Sequence, residues 1–213
     1  MKAIVCVKQV PGTLDRASMA TITNPDDLNA LEAALKLKDE TGCEVVVVTM
    51  GPPPAEGMLR ELLARGADKA VLVSGREFGG SDTFATSQIL AAAVNKIGVG
   101  PEDVVFCGRQ AIDGDTAQVG PQIAEKLHLP QVTYVADIQK DGNSLTVKRM
   151  LEDGYMMVKV QNPLIEVDTI GLKGSPTNVF KSFTPPQKGA GTMLTGDDTA
   201  AQLAGILAKK HLI

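Results

Sequence analysis

The chain has no tryptophan, two tyrosines and five phenylalanines, which argues against an aromatic platform for stacking single-stranded bases. A cationic surplus is absent as well: 21 Lys and Arg face 25 Asp and Glu, a net charge of −4. That argues against a protein that lives on phosphate attraction to nucleic acid. The three cysteines, Cys6, Cys43 and Cys107, lie far apart and form no CxxC pair. Neither a zinc knuckle nor a disulfide framework is indicated, and no metal site is expected; each thiol reads as a reduced core residue. No apolar run is long enough to span a membrane. The opening MKAIVCVKQV is too short in its apolar part for a secretory leader and lacks a small-residue cleavage site. A cytoplasmic chain is the expectation.

Catalytic signatures are missing too. There is no GxGxxG, Walker A, GxSxG or HExxH motif. Only His128 and His211 exist, and neither has a nucleophile nearby in sequence, so Ser/His or Cys/His catalysis is not expected and no catalytic residue is assigned. The chain reads as a holder of a nucleotide or cofactor.

What is present is an alternation of short β-branched runs with helical stripes. Ala3–Val7, Glu44–Met50, Ala70–Val73 and Asp103–Cys107 are apolar without polar alternation, the pattern of strands buried on both faces of a parallel sheet. Asn24 before Pro25 predicts a helix start, with Asp26 and Asp27 in its first turn, Leu28, Leu31 and Leu35 as its stripe and Gly42 as its stop. Further helices are expected over Ala55–Arg65, from Asp82 or Thr83 to Ile97, and from about Gln118 to Leu127. Residues 1–130 thus predict an open, Rossmann-like α/β fold. After Pro130, three extended segments joined by Asp-Gly turns predict an antiparallel meander at the sheet edge. From Lys173 the chain is rich in Gly, Pro and Ser and reads as an arm, closed by a helix over Asp197–Lys210.

In an open parallel sheet, ligands bind beyond the carboxyl ends of the strands. The densest polar stretch lies at such a place: Gly108, Arg109, Gln110, Ala111, Ile112, Asp113, Gly114, Asp115, Thr116, Ala117, Gln118 and Val119 lead from a strand into a helix. A glycine-bearing turn at a helix N-terminus offers bare N–H groups to an anion. Gly114 is expected to supply close approach or positive φ. Arg109 supplies charge, and Thr116 and Gln118 can hydrogen-bond phosphate or ribose. Three other readings stay open. The stretch can be a solvated loop with a helix cap; Asp113 and Asp115 can be metal carboxylates, though no third ligand is spaced nearby; and Gly79–Thr83 is similar to the pyrophosphate loop of ATP pyrophosphatases, or a plain cap. Lys8, Asn24–Asp27 and Met50 also stand at strand ends facing this crevice.

Five ordered blocks carry a resemblance: Val7–Pro11, Asn24–Asp27, Met50–Pro53, Arg65–Asp68 and Gly108–Pro121. They resemble the beta subunit of electron transfer flavoprotein. The resemblance implies an adenine-nucleotide alpha-hydrolase type of fold over residues 1–160, and a heterodimer with an alpha subunit onto which residues 161–213 dock. It implies a bound FAD, or AMP in ordinary members. The implied cofactor contacts are Cys6, Val7, Lys8, Asn24, Pro25, Asp26, Asp27, Met50 and Gly108 through Val119. Gly79–Ser87 is similar to a stretch of electron-bifurcating members from anaerobes, and implies that Asp82 and Thr83 face NAD(H). Such members pass electrons from NADH to ferredoxin or flavodoxin and, through the alpha-subunit FAD, to an acyl-CoA or similar dehydrogenase. A nucleotide-binding stress-type module of the same fold is the alternative. Members of the family are longer, carrying a hairpin where this chain passes from Thr13 to Leu14 and a partner loop where it passes from Gln161 to Leu164. Unusually long Cα separations are expected at those two junctions, against an ordinary 3.8 Å.

Overall fold

The structure is a computed structural model, and it describes residues 1–12, 21–142, 144–161, 195 and 198–210. Both junctions at which long Cα separations are expected lie outside the described residues. The chain divides into two compact units, Met1–Leu164 and Ile165–Ile213.

The first unit is built on a parallel sheet of β1 (Lys2–Cys6), β4 (Glu44–Met50), β5 (Lys69–Val73) and β6 (Val104–Cys107), in the order β5-β4-β1-β6. These are the four uninterrupted apolar runs. Their side chains alternate between two cores, which is why polar alternation is missing from the sequence. Ala3, Val5, Val45 and Val47 pack with Leu31, Leu37, Leu59 and Leu62. Those leucines come from α1 (Pro25–Thr41) and α2 (Glu56–Ala64). Ile4, Val46 and Val48 pack on the other face with Leu90, Val94 and Ile123. These belong to α3 (Thr83–Ile97) and α4 (Val119–Lys126).

Helix boundaries follow local chemistry. Pro25 opens α1, and Gly42, left-handed at φ 69°, closes it with its N–H donating to Lys38 O. The Asp82 carboxylate accepts the Ala85 N–H at 2.8 Å and caps α3. Cys6 and Cys43 are buried and all three thiols are free.

Two features depart from the sequence reading. Residues 9–11 and 21–23 form a short antiparallel ribbon, β2 (Gln9–Pro11) and β3 (Thr21–Thr23), which a three-residue signal does not reveal. The meander of β7 (Val135–Asp141), β8 (Ser144–Leu151) and β9 (Gly154–Gln161) is a three-stranded sheet of its own and is not paired with the parallel sheet. In the second unit, α5 (Thr199–Lys209) is an amphipathic helix with Leu203 and Ile206 exposed. No described helix is long and apolar enough to cross a membrane.

Candidate functional site

The strand order fixes where a ligand site belongs. From β1 the chain builds outward through β4 to β5, then returns to add β6 on the opposite side of β1. The connections leaving β1 and β6 therefore part in opposite directions, and the crevice between them is the topological switch point. Lys8 leaves β1 there, and the loop 108–118 leaves β6 there and leads into α4.

The loop is fastened from behind by the start of α1. Asn24 is fully buried, and its side chain does not cap its own helix. Instead Nδ2 donates to Gln110 O at 2.8 Å, and Oδ1 accepts the Ile112 N–H at 3.1 Å. The expected N-cap is thus present in backbone geometry only; its amide is spent on the loop. Replacing Asn24 with Ala should leave the Gln110 carbonyl and the Ile112 N–H, both in partly buried bonds, without their partner. The expected loss is about 2–3 kcal/mol in urea unfolding, with weakened nucleotide retention.

Asp27 performs the second attachment. It is buried, and its Oδ2 accepts the Lys8 N–H at 2.8 Å. Burial pushes its carboxyl up to about 6, against hydrogen bonds from Asn24 and from the Lys8 and Gly108 backbones that pull it down. Gly108 lies against this carboxyl. A Cβ placed on Gly108 would stand 2.7 Å from the Asp27 nitrogen and would overlap Oδ1.

The expectation for Gly114 is corrected. It has neither positive φ nor a close neighbour: a Cβ there meets nothing within 4 Å. Close approach belongs to Gly108. Left-handed backbone belongs to Asp115 at φ 50° and Ala117 at φ 53°. Such conformations cost about 1–2 kcal/mol for residues other than glycine and concentrate where a backbone is shaped for a ligand. Ala117 is followed by Gln118 in right-handed backbone, φ −103° and ψ −25°. Successive residues of opposite hand turn their N–H groups into one concavity, a shape that accepts anions. This concavity opens at the N-terminus of α4, where the helix dipole adds to the attraction.

Side chains around it are already paired. Lys8 Nζ contacts Asp113 Oδ1 at 2.7 Å and Oδ2 at 2.8 Å. Arg109 Nε lies 3.4 Å from Asp26 Oδ2, and Gln110 Nε2 donates to Asp115 Oδ1 at 2.9 Å. Thr116 is exposed, as is Ile112. Pro25 is exposed at the start of α1.

The remaining expected residues divide by role. Cys6 and Val7 bury their side chains in the two cores, so what they offer a ligand is backbone. The neighbouring Cys107 thiol, together with burial, pushes the Cys6 thiol well above its ordinary range, which makes it inert. Met50 is partly buried against the second core. Thr83 Oγ1 accepts from Gln122 Nε2 at 3.4 Å, which links the start of α3 to α4. Among the described residues no group of His, Cys, Asp and Glu is placed to hold a metal. A cavity of about 400 Å³ between α3 and α4 is lined by Gln88, Asn95, Lys126 and His128. It includes the C-terminal end of α4, away from the carboxyl ends of the strands.

Fold and loop together define an open-sheet α/β protein whose β6–α4 loop, at the topological switch point, carries successive residues of opposite backbone hand. Residues 12–191 match the family described as "Electron transfer flavoprotein domain". The chain is 57% identical to the acryloyl-CoA reductase electron transfer subunit gamma of Anaerotignum propionicum, with 100% of both chains covered. It is 45% identical to the caffeyl-CoA reductase-Etf complex subunit CarD of Acetobacterium woodii, again over 100% of both. It is 44% identical, over the same full coverage, to the electron transfer flavoprotein subunit beta of Clostridium acetobutylicum. The chain belongs to the electron transfer flavoprotein family, as a beta-type subunit.

Proposed function

We propose that this chain is the beta subunit of an electron-bifurcating electron transfer flavoprotein and that it holds FAD at the switch point. The observation that carries this reading is the left-then-right turn of Ala117 and Gln118 at the start of α4, which suits a bridging diphosphate. The backbone of Thr116–Gly120 would hold the diphosphate, with Lys8 and Arg109 at its margins. Asn24 and Asp27 hold the loop in place from behind. Bound flavin supplies the redox chemistry, accepting electron pairs and releasing single electrons. The protein's part is to bind and orient it.

NAD(H) is the donor in this reading, approaching Asp82 and Thr83 at the start of α3. The acceptors are ferredoxin or flavodoxin and, through the FAD of an alpha subunit, a flavin dehydrogenase acting on acyl-CoA or similar thioesters. Support for the dehydrogenase class comes from relatives named as subunits of acryloyl-CoA and caffeyl-CoA reductases. Residues 1–160 carry the nucleotide in this proposal, and residues 161–213 dock on the alpha subunit. The complex works in the cytoplasm.

Extraction of nucleotides from the heterodimer, co-produced with its alpha subunit, tests the reading. FAD in twofold excess over the dimer is expected. FAD and AMP in equal amounts would reject bifurcation in favour of a structural AMP, and colourless protein would reject the flavoprotein reading of the site.

A further inference from the structure

The concavity at the start of α4 is built to attract an anion, yet the cations beside it are committed. The segments that converge on the switch point, 6–9, 24–27, 50–53 and 108–120, contain one lysine and one arginine, Lys8 and Arg109. Lys8 is gripped by both oxygens of Asp113, at 2.7 and 2.8 Å. Arg109 faces Asp26 at 3.4 Å. Asp115 adds a third carboxylate to the surroundings of the concavity and accepts from the neutral amide of Gln110. Asp27 is buried behind the loop and faces Lys8 and Gly108. Asp26, Asp113 and Asp115 therefore outnumber the cations, and attraction is left to backbone N–H groups.

Backbone donors without surplus cations suit about two negative charges in all, the charge of a dinucleotide's bridging diphosphate and of a single terminal phosphate alike. They suit poorly a longer polyphosphate, because each added charge meets carboxylates and no free ammonium. A site built for triphosphates typically commits a lysine and a metal to that charge.

From this we infer that Asp113 is a specificity-determining residue: by occupying Lys8, it makes the switch-point site accept bridging diphosphates and reject nucleoside triphosphates. The inference rests on the placement of the nucleotide at this loop. Its consequence is that a dinucleotide can compete there against free ATP in a cell.

Equilibrium binding of FAD, AMP, ADP and ATP to the full chain, without added divalent cation and at fixed ionic strength, tests it. Wild type should bind ATP about tenfold or more weakly than AMP, with ADP between. Asp113→Asn frees Lys8 and should shrink the ATP-to-AMP ratio of dissociation constants by about tenfold. Asp153→Asn, the same charge change in the exposed turn before β9, should leave the ratio as in wild type. Should Asp113→Asn fold poorly, Asp26→Asn, which releases Arg109, should move the ratio in the same direction. Equal affinity of wild type for ATP and AMP would overturn the inference. So would a ratio that Asp113→Asn shifts no more than Asp153→Asn does. Failure of all four nucleotides to bind wild type would overturn the placement of the nucleotide itself, and this inference with it.

Discussion

Gly108→Ala should destabilise the chain by at least about 3 kcal/mol in urea unfolding and abolish nucleotide retention. The new Cβ would overlap Asp27 Oδ1 and lie 2.7 Å from both the Asp26 carbonyl carbon and the Asp27 nitrogen. Two of those three neighbours are main chain at the first turn of α1, so no rotamer change clears the space. Relief requires pulling the loop from the helix start. That would weaken the bonds from Asn24 to Gln110 and Ile112, which span the same junction. Gly114→Ala is the matched control. Its Cβ meets nothing, and the expected change is within about 0.5 kcal/mol. Equal effects of the two substitutions would contradict this account of the loop.

The second large effect is a pH dependence. Asp27 has an ordinary value of 3.8 in the unfolded chain and about 6 in the fold, raised mainly by burial. Between those values the native state binds more protons than the unfolded state, so this carboxyl's contribution to stability falls as pH rises. It is fully present below pH 3.8 and lost through pH 6. The size is about 3 kcal/mol. Asp27→Asn removes the titration. The stability of wild type minus that of Asp27→Asn should therefore fall by about 3 kcal/mol between pH 3 and pH 7, measured by urea unfolding across that range. Parallel curves would show that Asp27 does not titrate as its burial requires. Asparagine also exchanges one acceptor oxygen for a donor beside Gly108, so a constant offset is expected on top of the pH-dependent part.

The parallel sheet was legible because burial on both faces leaves a direct mark, an unbroken apolar run. Leu31, Leu37, Leu59 and Leu62 were legible for a related reason: helical spacing puts them on one face. The site was legible in place but not in mechanism. A polar, glycine-bearing loop after a strand points to residues 108–119, but local pattern marks Gly114 as the special glycine and Asn24 as a helix cap. Neither assignment could be corrected from local sequence. Gly108 is constrained by Asp26 and Asp27, more than eighty positions away, and Asn24 finds partners across the same distance. Left-handed Ala117 carries no local signal either, since alanine is a poor choice for that backbone, whereas Asp115 is a residue type that tolerates it. One clue was available: a glycine immediately after a strand, entering a crevice opposite a helix start, is the pattern of close backbone packing in open α/β sheets. The ribbon of β2 and β3 was missed because three residues are too few for periodicity to register.

In the proposed complex the backbone of the loop between β6 and α4 receives the diphosphate of a dinucleotide. Amide hydrogen exchange on the full chain, with and without FAD, tests it most directly. Slowed exchange is expected, confined to Gly108–Gly120 and the Val7–Lys8 exit of β1 and strongest at Ala117–Gly120. Protection that leaves Gly108–Gly120 unchanged and falls instead on the groove of Gln88, Asn95 and His128 would contradict it.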